Sequence, residues 1–231
     1  MQGFSKIMSE LLFLPLGMND AAFFLSDSDP RIDRVPTLYG AVLEDDGLTT
    51  RIAEEQECYP DGVEYLTNQT AHYAGPRSYE SGDTGSIMTA SDYSKFYDML
   101  LNGGISARGD RLLSPQGVQT LCKGRFNDLR LNTALAKAFG VAGMHSPFPK
   151  SFNFGWATAH GDDSVTSYAT SDHGDMSNWG GYALTQGFFY PSEESYMLVC
   201  PQLMLTTPGA FAFGQALIRD KSMTAFHSVW S

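Results

Sequence analysis

Residues 179–203, WGGYALTQGFFYPSEESYMLVCPQL, decide the fold class. Two runs rich in aromatic and aliphatic residues, Tyr182 to Tyr190 and Ser195 to Leu203, flank the polar segment Pro191-Ser192-Glu193-Glu194. Short apolar runs on either side of a proline-containing polar turn predict two antiparallel strands joined as a hairpin. Phe152 to His160 predicts a further strand. The later part of the chain is therefore predicted to form an antiparallel sheet.

Helices precede this sheet. Residues 4–12 place apolar side chains at helical spacing and predict an amphipathic helix with one buried stripe. Thr89 to Gly104 predicts the clearest helix, with Thr89 as a cap, Asp92 in the first turn and glycines at the end. A third helix is predicted from Ser114 to about Cys122. The apolar residues that predict the first helix are Phe4, Ile7, Met8, Leu11 and Leu12.

The order of these elements predicts an α+β fold in a single domain spanning residues 1–231. Residues 1 to about 145 form its helical and loop region, with a long irregular stretch over 26–85. Residues from about 150 to 231 supply the antiparallel strands. Thr207-Pro208 then opens a C-terminal helix by the same logic of a capping residue followed by proline.

Composition excludes several functions. The formal net charge of −11 repels phosphate backbones, so nucleic acid is not an expected partner. No apolar run approaches the roughly 20 residues of a membrane span. The five histidines show no metal-ligand spacing, and the three cysteines form no Cys-x-x-Cys pair. We therefore expect no metal and no cofactor, and the sequence leaves the cellular compartment open.

Several segments, in order along nearly the whole chain, resemble the serine beta-lactamase-related family, which includes penicillin-binding proteins, class C beta-lactamases and esterases. The resemblance implies a beta-lactamase/transpeptidase-like fold, with a helical subdomain and an antiparallel sheet that carries a C-terminal helix. The matching segments are Phe13 to Asp20 (FLPLGMND), Gly85 to Tyr93 (GSIMTASDY), Arg111 to Pro115 (RLLSP), Phe154-Gly155-Trp156 and Trp179-Gly180-Gly181 with Phe188 to Pro191 (FFYP).

The chemistry that the resemblance implies is acyl transfer. A serine in a Ser-x-x-Lys motif attacks a carbonyl, and a Tyr-x-Asn motif supplies a second polar pair. Neither motif occurs in the 231 residues, so no catalytic nucleophile or base is assigned. In the family these motifs precede the segment that matches Phe13 to Asp20. We therefore interpret the chain as the C-terminal portion of such a domain, without the N-terminal helix and strands.

The resemblance assigns Trp179, Gly180, Gly181 and Tyr182 to substrate binding and to the oxyanion hole. Two glycines would let a substrate carbonyl approach the strand backbone, and the Tyr182 N–H would be one oxyanion donor. Trp179 stands where relatives carry the lysine that attracts a carboxylate, so a neutral ester is favoured over a beta-lactam. The structural alternative is a glycine pair in a tight strand entry packed under Trp179.

Three functions remain open from the sequence. The chain is part of an enzyme that acts on an ester, amide or peptide, a non-catalytic binding protein derived from this fold, or a truncated product without function. The expected absence of the first strands has a further consequence. The strand Ser195 to Leu203 would present an open edge, through which the chain would associate with itself.

Overall fold

The computed structural model describes residues 3–26, 28–36, 39–43, 50–54, 80, 82, 85–122, 151–152, 157–159, 176–181 and 183–204. The chain divides into two compact units, Met1–Pro115 and Gln116–Ser231. The predicted boundary between the helical region and the strands, at about residues 145–150, lies outside the described residues and stays a prediction. The same holds for the predicted C-terminal helix and for Phe154-Gly155-Trp156.

The first unit begins with a helix in three parts: α1 (Phe4–Met8), a π-helical turn (Ser9–Phe13) and α2 (Leu14–Leu16). The prediction of one buried stripe over residues 4–12 is wrong. The π turn contains one residue more than an α turn, so the α-helical phase does not continue across it. Phe13 and Leu16 are buried, whereas the side chains of Phe4, Ile7, Leu11 and Leu14 are exposed.

Gly17 ends this helix in the left-handed conformation, with φ of +70°. The Met18 N–H donates to the Phe13 carbonyl (2.8 Å) and the Gly17 N–H to the Leu14 carbonyl (3.1 Å), which is the Schellman pattern. A Cβ atom at Gly17 would lie 2.8 Å from the Arg108 guanidinium. The segment that carries the family resemblance is therefore, in physical terms, a helix end that requires glycine.

The second long helix of this unit, α3 (Ala90–Leu101), begins and ends as predicted. The Thr89 hydroxyl accepts the Asp92 N–H at 3.0 Å and caps the helix. At the other end, the N–H groups of Gly103 and Gly104 donate to carbonyls of the last turn. Tyr97 and Leu100 are buried on the predicted apolar face.

Asp92 also connects α3 to the end of the first helix. Its buried carboxylate accepts the Asp20 N–H at 2.7 Å and the Lys95 ammonium at 2.7 Å. Lys95 donates in addition to the Gly17 carbonyl at 2.6 Å. One buried side chain thus holds two turns that are more than seventy residues apart in the sequence.

The remaining elements of the first unit are short. A 3-10 turn (Ile32–Arg34) is followed by β1 (Tyr39–Leu43) and β2 (Thr50–Glu54), which pair as an antiparallel hairpin. Phe23 lies between Phe4 and Phe13, with ring centroids 5.2 and 6.2 Å apart. Phe13 and Phe23 belong to the apolar core, and the partly exposed ring of Phe4 packs at its edge.

The second unit contains helix α4 (Pro115–Cys122) and a five-stranded antiparallel sheet of order β3-β4-β5-β6-β7. The strands are β3 (Ser151–Phe152), β4 (Ala157–Ala159), β5 (Met176–Gly180), β6 (Gln186–Tyr190) and β7 (Ser195–Val199), and a short β8 (Leu203–Met204) follows them. Met176, Phe188 and Tyr190 form the buried core of the sheet, and Met197 and Val199 pack against them.

The predicted hairpin is confirmed, with narrower bounds. β6 begins at Gln186, because hydrogen bonds from Gly181 to Thr185 and from Leu184 to Gly181 close a turn before it, and β7 ends at Val199. The 3-10 turn Pro191–Glu193 joins the two strands. The prediction of one strand from Phe152 to His160 is wrong. β3 and β4 run antiparallel within this stretch, so the chain reverses direction between Phe152 and Ala157.

Replacing Asp92 by Ala should lower the free energy of unfolding by about 2–4 kcal/mol, because the part-buried Asp20 N–H loses its acceptor and the Lys95 ammonium keeps only the Gly17 carbonyl. Urea denaturation would measure the change. Asp98→Ala is the matched control, since Asp98 is an exposed acid on the same helix. An equal effect of both substitutions would contradict the role given to Asp92.

Candidate functional site

Trp179 and Gly180 are the last two residues of β5, where they lie opposite Gly187 and Gln186 of β6. Gly181 begins the turn between the strands. Tyr182, the fourth residue assigned by the resemblance, lies outside the described residues. The structure therefore places three of the four predicted site residues in one continuous segment at the end of a central strand of the sheet.

The turn that follows Gly180 is closed by its own hydrogen bonds. The Gly181 N–H donates to the Thr185 carbonyl at 2.7 Å, and the Gly181 carbonyl accepts the Leu184 N–H at 3.1 Å. Leu184 is buried with a positive φ of 59°, and the Leu203 N–H donates to the Ala183 carbonyl at 3.1 Å. Both backbone polar groups of Gly181 are thus used inside the turn, which leaves its N–H unsuited to an oxyanion.

Thr185 explains the glycine at position 181. A Cβ atom built on Gly181 would overlap the Thr185 hydroxyl, although the Gly181 backbone is not left-handed. The sequence motif predicts that glycine leaves the backbone open to a substrate carbonyl. The structure instead fills that side with a hydroxyl group, which favours the structural alternative for Gly181. Sequence reasoning missed Thr185, because a lone threonine four residues downstream carries no motif signal.

The Trp179 side chain lies on the face of the sheet opposite the Met176-Phe188-Tyr190 core. Successive residues of a strand alternate between faces, and directly opposed residues share one. By this rule Trp179 shares its face with Ser177, Gly187 and Leu198. Its side chain is 42% exposed, the greatest exposure among the residues of β5 and β6. Trp179 therefore offers an apolar surface beside a residue without a side chain.

Helix α4 ends on this same face. The Ser177 hydroxyl donates to the carbonyl of Cys122, the last residue of α4, over 3.4 Å. Burial raises the pKa of the Cys122 thiol to about 11, so this cysteine is a thiol at neutral pH and not an activated nucleophile. The end of α4 therefore brings no activated nucleophile to this face of the sheet.

Two buried polar atoms lie on the other face. Asn178 Oδ1 and Ser195 Oγ have no hydrogen-bond partner within the described part of the chain. Both residues alternate with Trp179 or its cross-strand neighbours and so belong to the core side.

Among the described residues no cluster of three histidine, cysteine or acidic side chains could hold a metal ion. No helix in those same ranges is long and apolar enough to cross a membrane.

No protein-family model and no curated protein sequence matches the chain. Solved structures do. Unliganded simvastatin synthase (LovD) from Aspergillus terreus superposes with a TM-score of 0.61 at 18% identity, covering 93% of this chain and 49% of that one. The LovD6 mutant of the same enzyme gives 0.59 at 18% identity, with coverages of 95% and 51%. EstCE1, a hydrolase with promiscuous acyltransferase activity, gives 0.56 at 15% identity, with coverages of 92% and 50%.

These similarities confirm the fold that the sequence motifs predict. The chain has a beta-lactamase/transpeptidase-like fold, and it spans about half the length of the solved structures it matches.

A double-mutant cycle at Gly181 and Thr185 separates a structural glycine from one kept open for substrate. Gly181→Ala alone should cost about 1–3 kcal/mol of stability, as overpacking does. In a Thr185→Ala background the same change should cost much less, because the hydroxyl that it meets is gone. Urea unfolding of the four proteins gives the coupling energy. Equal costs in both backgrounds would show that Thr185 does not exclude a side chain at position 181.

Proposed function

We propose that this chain is the C-terminal part of a serine hydrolase or acyltransferase domain that acts on a neutral ester or amide through an acyl-enzyme. The observation that carries the proposal is the exposed Trp179 at the end of β5, next to a turn fixed by hydrogen bonds, in a chain of this fold. The structurally similar proteins include a synthase and a hydrolase with acyltransferase activity.

Each residue of the segment has a distinct role in this proposal. Trp179 is a flat apolar wall for the non-reacting part of the substrate. Gly180 has no side chain that could block access to the backbone at the end of β5. Gly181 allows the turn to pack against Thr185. The Tyr182 N–H donates to the developing oxyanion. Since the Gly181 N–H is used by the turn, Tyr182 is the donor that we assign within this segment.

Charge supports a neutral substrate. The net charge of −11 disfavours anionic ligands, and the motif contains no cation. A carboxylate-bearing substrate would need a cationic hydrogen-bond donor at this position, and the indole of Trp179 is neutral. An ester or amide with an apolar acyl or alcohol part fits better.

No Ser-x-x-Lys or Tyr-x-Asn motif occurs in the 231 residues, so none of them is assigned as the nucleophile. In this proposal the serine and its base come from a polypeptide segment outside the given sequence. The second candidate is a non-catalytic protein that binds small molecules at the Trp179 wall, and the missing nucleophile is the observation that favours it. A truncated product without function is the third. An in-frame Ser-x-x-Lys followed by Tyr-x-Asn in the coding sequence upstream of Met1 would decide for the enzyme.

The 231-residue chain by itself should show no hydrolase turnover, because loss of the nucleophile and base costs about a millionfold in kcat. p-Nitrophenyl esters and a chromogenic cephalosporin would serve as substrates, and a fluorophosphonate probe would report reactive serines. An active serine esterase labelled in parallel is the control. Stoichiometric labelling of a serine in this chain would show that it contains its own nucleophile.

In an enzyme completed with the nucleophile-bearing segment, Trp179→Lys should shift specificity toward substrates that carry a carboxylate. We expect the kcat/KM for an acidic substrate, divided by that for a neutral substrate, to rise about tenfold or more. This is the contribution of one charge-assisted hydrogen bond. Trp179→Phe, which keeps an apolar ring, should leave the ratio unchanged. An unaltered ratio for Trp179→Lys would place residue 179 away from the substrate.

A further inference from the structure

Thr185 places a hydroxyl group on the same face of the sheet as Trp179. In the β5–β6 register Trp179 lies opposite Gly187, so Thr185, two residues before Gly187, is its diagonal neighbour. Diagonal neighbours on one face are about 7–8 Å apart, within reach of an aromatic side chain. The Thr185 hydroxyl also occupies the position where a Cβ atom of Gly181 would lie. An indole and a hydroxyl therefore border the same stretch of backbone, at a residue without a side chain.

The hydroxyl of Thr185 is held in a defined position. The Thr185 carbonyl accepts the Gly181 N–H at 2.7 Å, and the Leu184 N–H closes the turn on the Gly181 carbonyl at 3.1 Å. Threonine is branched at Cβ, which restricts its χ1 angle to few rotamers. Thr185 is nevertheless partly exposed, whereas Leu184 and Gln186 on either side of it are buried. The turn thus presents this polar side chain at a fixed place near the Trp179 indole.

The same hydroxyl has hydrogen-bonding capacity to offer a ligand. A threonine hydroxyl has one donor and two acceptor positions. In the ranges that the structure describes, no hydrogen bond involves the Thr185 hydroxyl. It is also not one of the buried polar atoms that lack a partner there, which are Asn178 Oδ1 and Ser195 Oγ. The hydroxyl is therefore accessible, and a ligand atom can replace water as its partner.

We propose that Thr185 determines specificity at the Trp179 surface by donating a hydrogen bond to a carbonyl oxygen of the substrate. A neutral ester contains oxygen acceptors and no donor, so the hydroxyl must be the donor. The apolar part of the same molecule lies on the Trp179 indole. The Tyr182 N–H keeps its role toward the oxyanion, which forms only during the reaction. This inference rests on the proposed function and narrows its substrates to neutral molecules with a carbonyl group next to an apolar group.

Two probe ligands that differ in one carbonyl group test this role with the 231-residue chain. Methyl benzoate carries the carbonyl oxygen, and benzyl methyl ether has two hydrogen atoms in its place. Thr185→Val removes the hydroxyl and keeps the branched shape that packs over Gly181. We expect Thr185→Val to raise the dissociation constant of methyl benzoate about three- to tenfold, the contribution of one neutral hydrogen bond, and to leave that of benzyl methyl ether unchanged. NMR titrations would measure these dissociation constants.

Two further variants separate hydrogen bonding by Thr185 from packing. Thr185→Ser keeps the hydroxyl and should retain the preference for methyl benzoate. Trp179→Ala removes the apolar surface and should weaken the binding of both probes alike. Thermal unfolding of each variant checks that it is folded. If Thr185 acted only through packing, Thr185→Val would lower the affinity for both probes by the same factor or for neither.

A preference for the ester over the ether that is equal in the native and Thr185→Val chains would overturn the role of Thr185. So would the absence of binding to both probes by the native chain. The proposed enzymatic function can fail separately. If the coding sequence upstream of Met1 lacks Ser-x-x-Lys while the preference still depends on the hydroxyl, the chain is a binding protein that recognises neutral carbonyl compounds through Thr185.

Discussion

The carboxylate of Asp92 is the constraint on which the first unit depends. It receives a backbone N–H from the turn after the first helix and an ammonium group from its own helix. Because it is buried, its charge is tolerated only while these partners stay in place. The turn needs Gly17 for its left-handed geometry, the helix needs Thr89 for its first turn, and Asp92 makes the two requirements mutually dependent.

The sequence predicts those parts of the fold that follow from local chemistry. The cap at Thr89 and the glycine stop after α3 depend on residues within one turn, and the structure has both. The β6–β7 hairpin depends on two apolar runs and one polar turn, and it is present as well. The reach of Asp92 to Asp20 crosses 72 residues, and no local pattern signals it. The sequence prediction missed that Phe152 and Ala157 belong to two antiparallel strands, because it took the stretch as one strand despite Asn153 and Gly155 within it.

The candidate site divides in the same way. The motif Trp179-Gly180-Gly181 was identified from its residue types. The sequence predicts it at the start of the strand Tyr182 to Tyr190, whereas the structure has Trp179 and Gly180 at the end of β5, a strand that the sequence does not predict. The motif alone could not show that the Thr185 hydroxyl fills the space beside Gly181, or that the Gly181 N–H donates to the Thr185 carbonyl. Both facts depend on how the turn between β5 and β6 closes. A glycine in a motif therefore has two physical explanations, and only geometry separates them.

The π turn at Ser9–Phe13 affects how this chain should be aligned with others. A relative whose first helix is regular would have one residue fewer between Met8 and Leu14, and a gap would have to be opened there. An alignment without that gap would shift one side of the helix by one residue. Exposed positions such as Leu11 would then be aligned with buried positions of the relative. Comparisons by sequence are thus weakened in this helix, whereas a superposition of backbones keeps both of its ends in register.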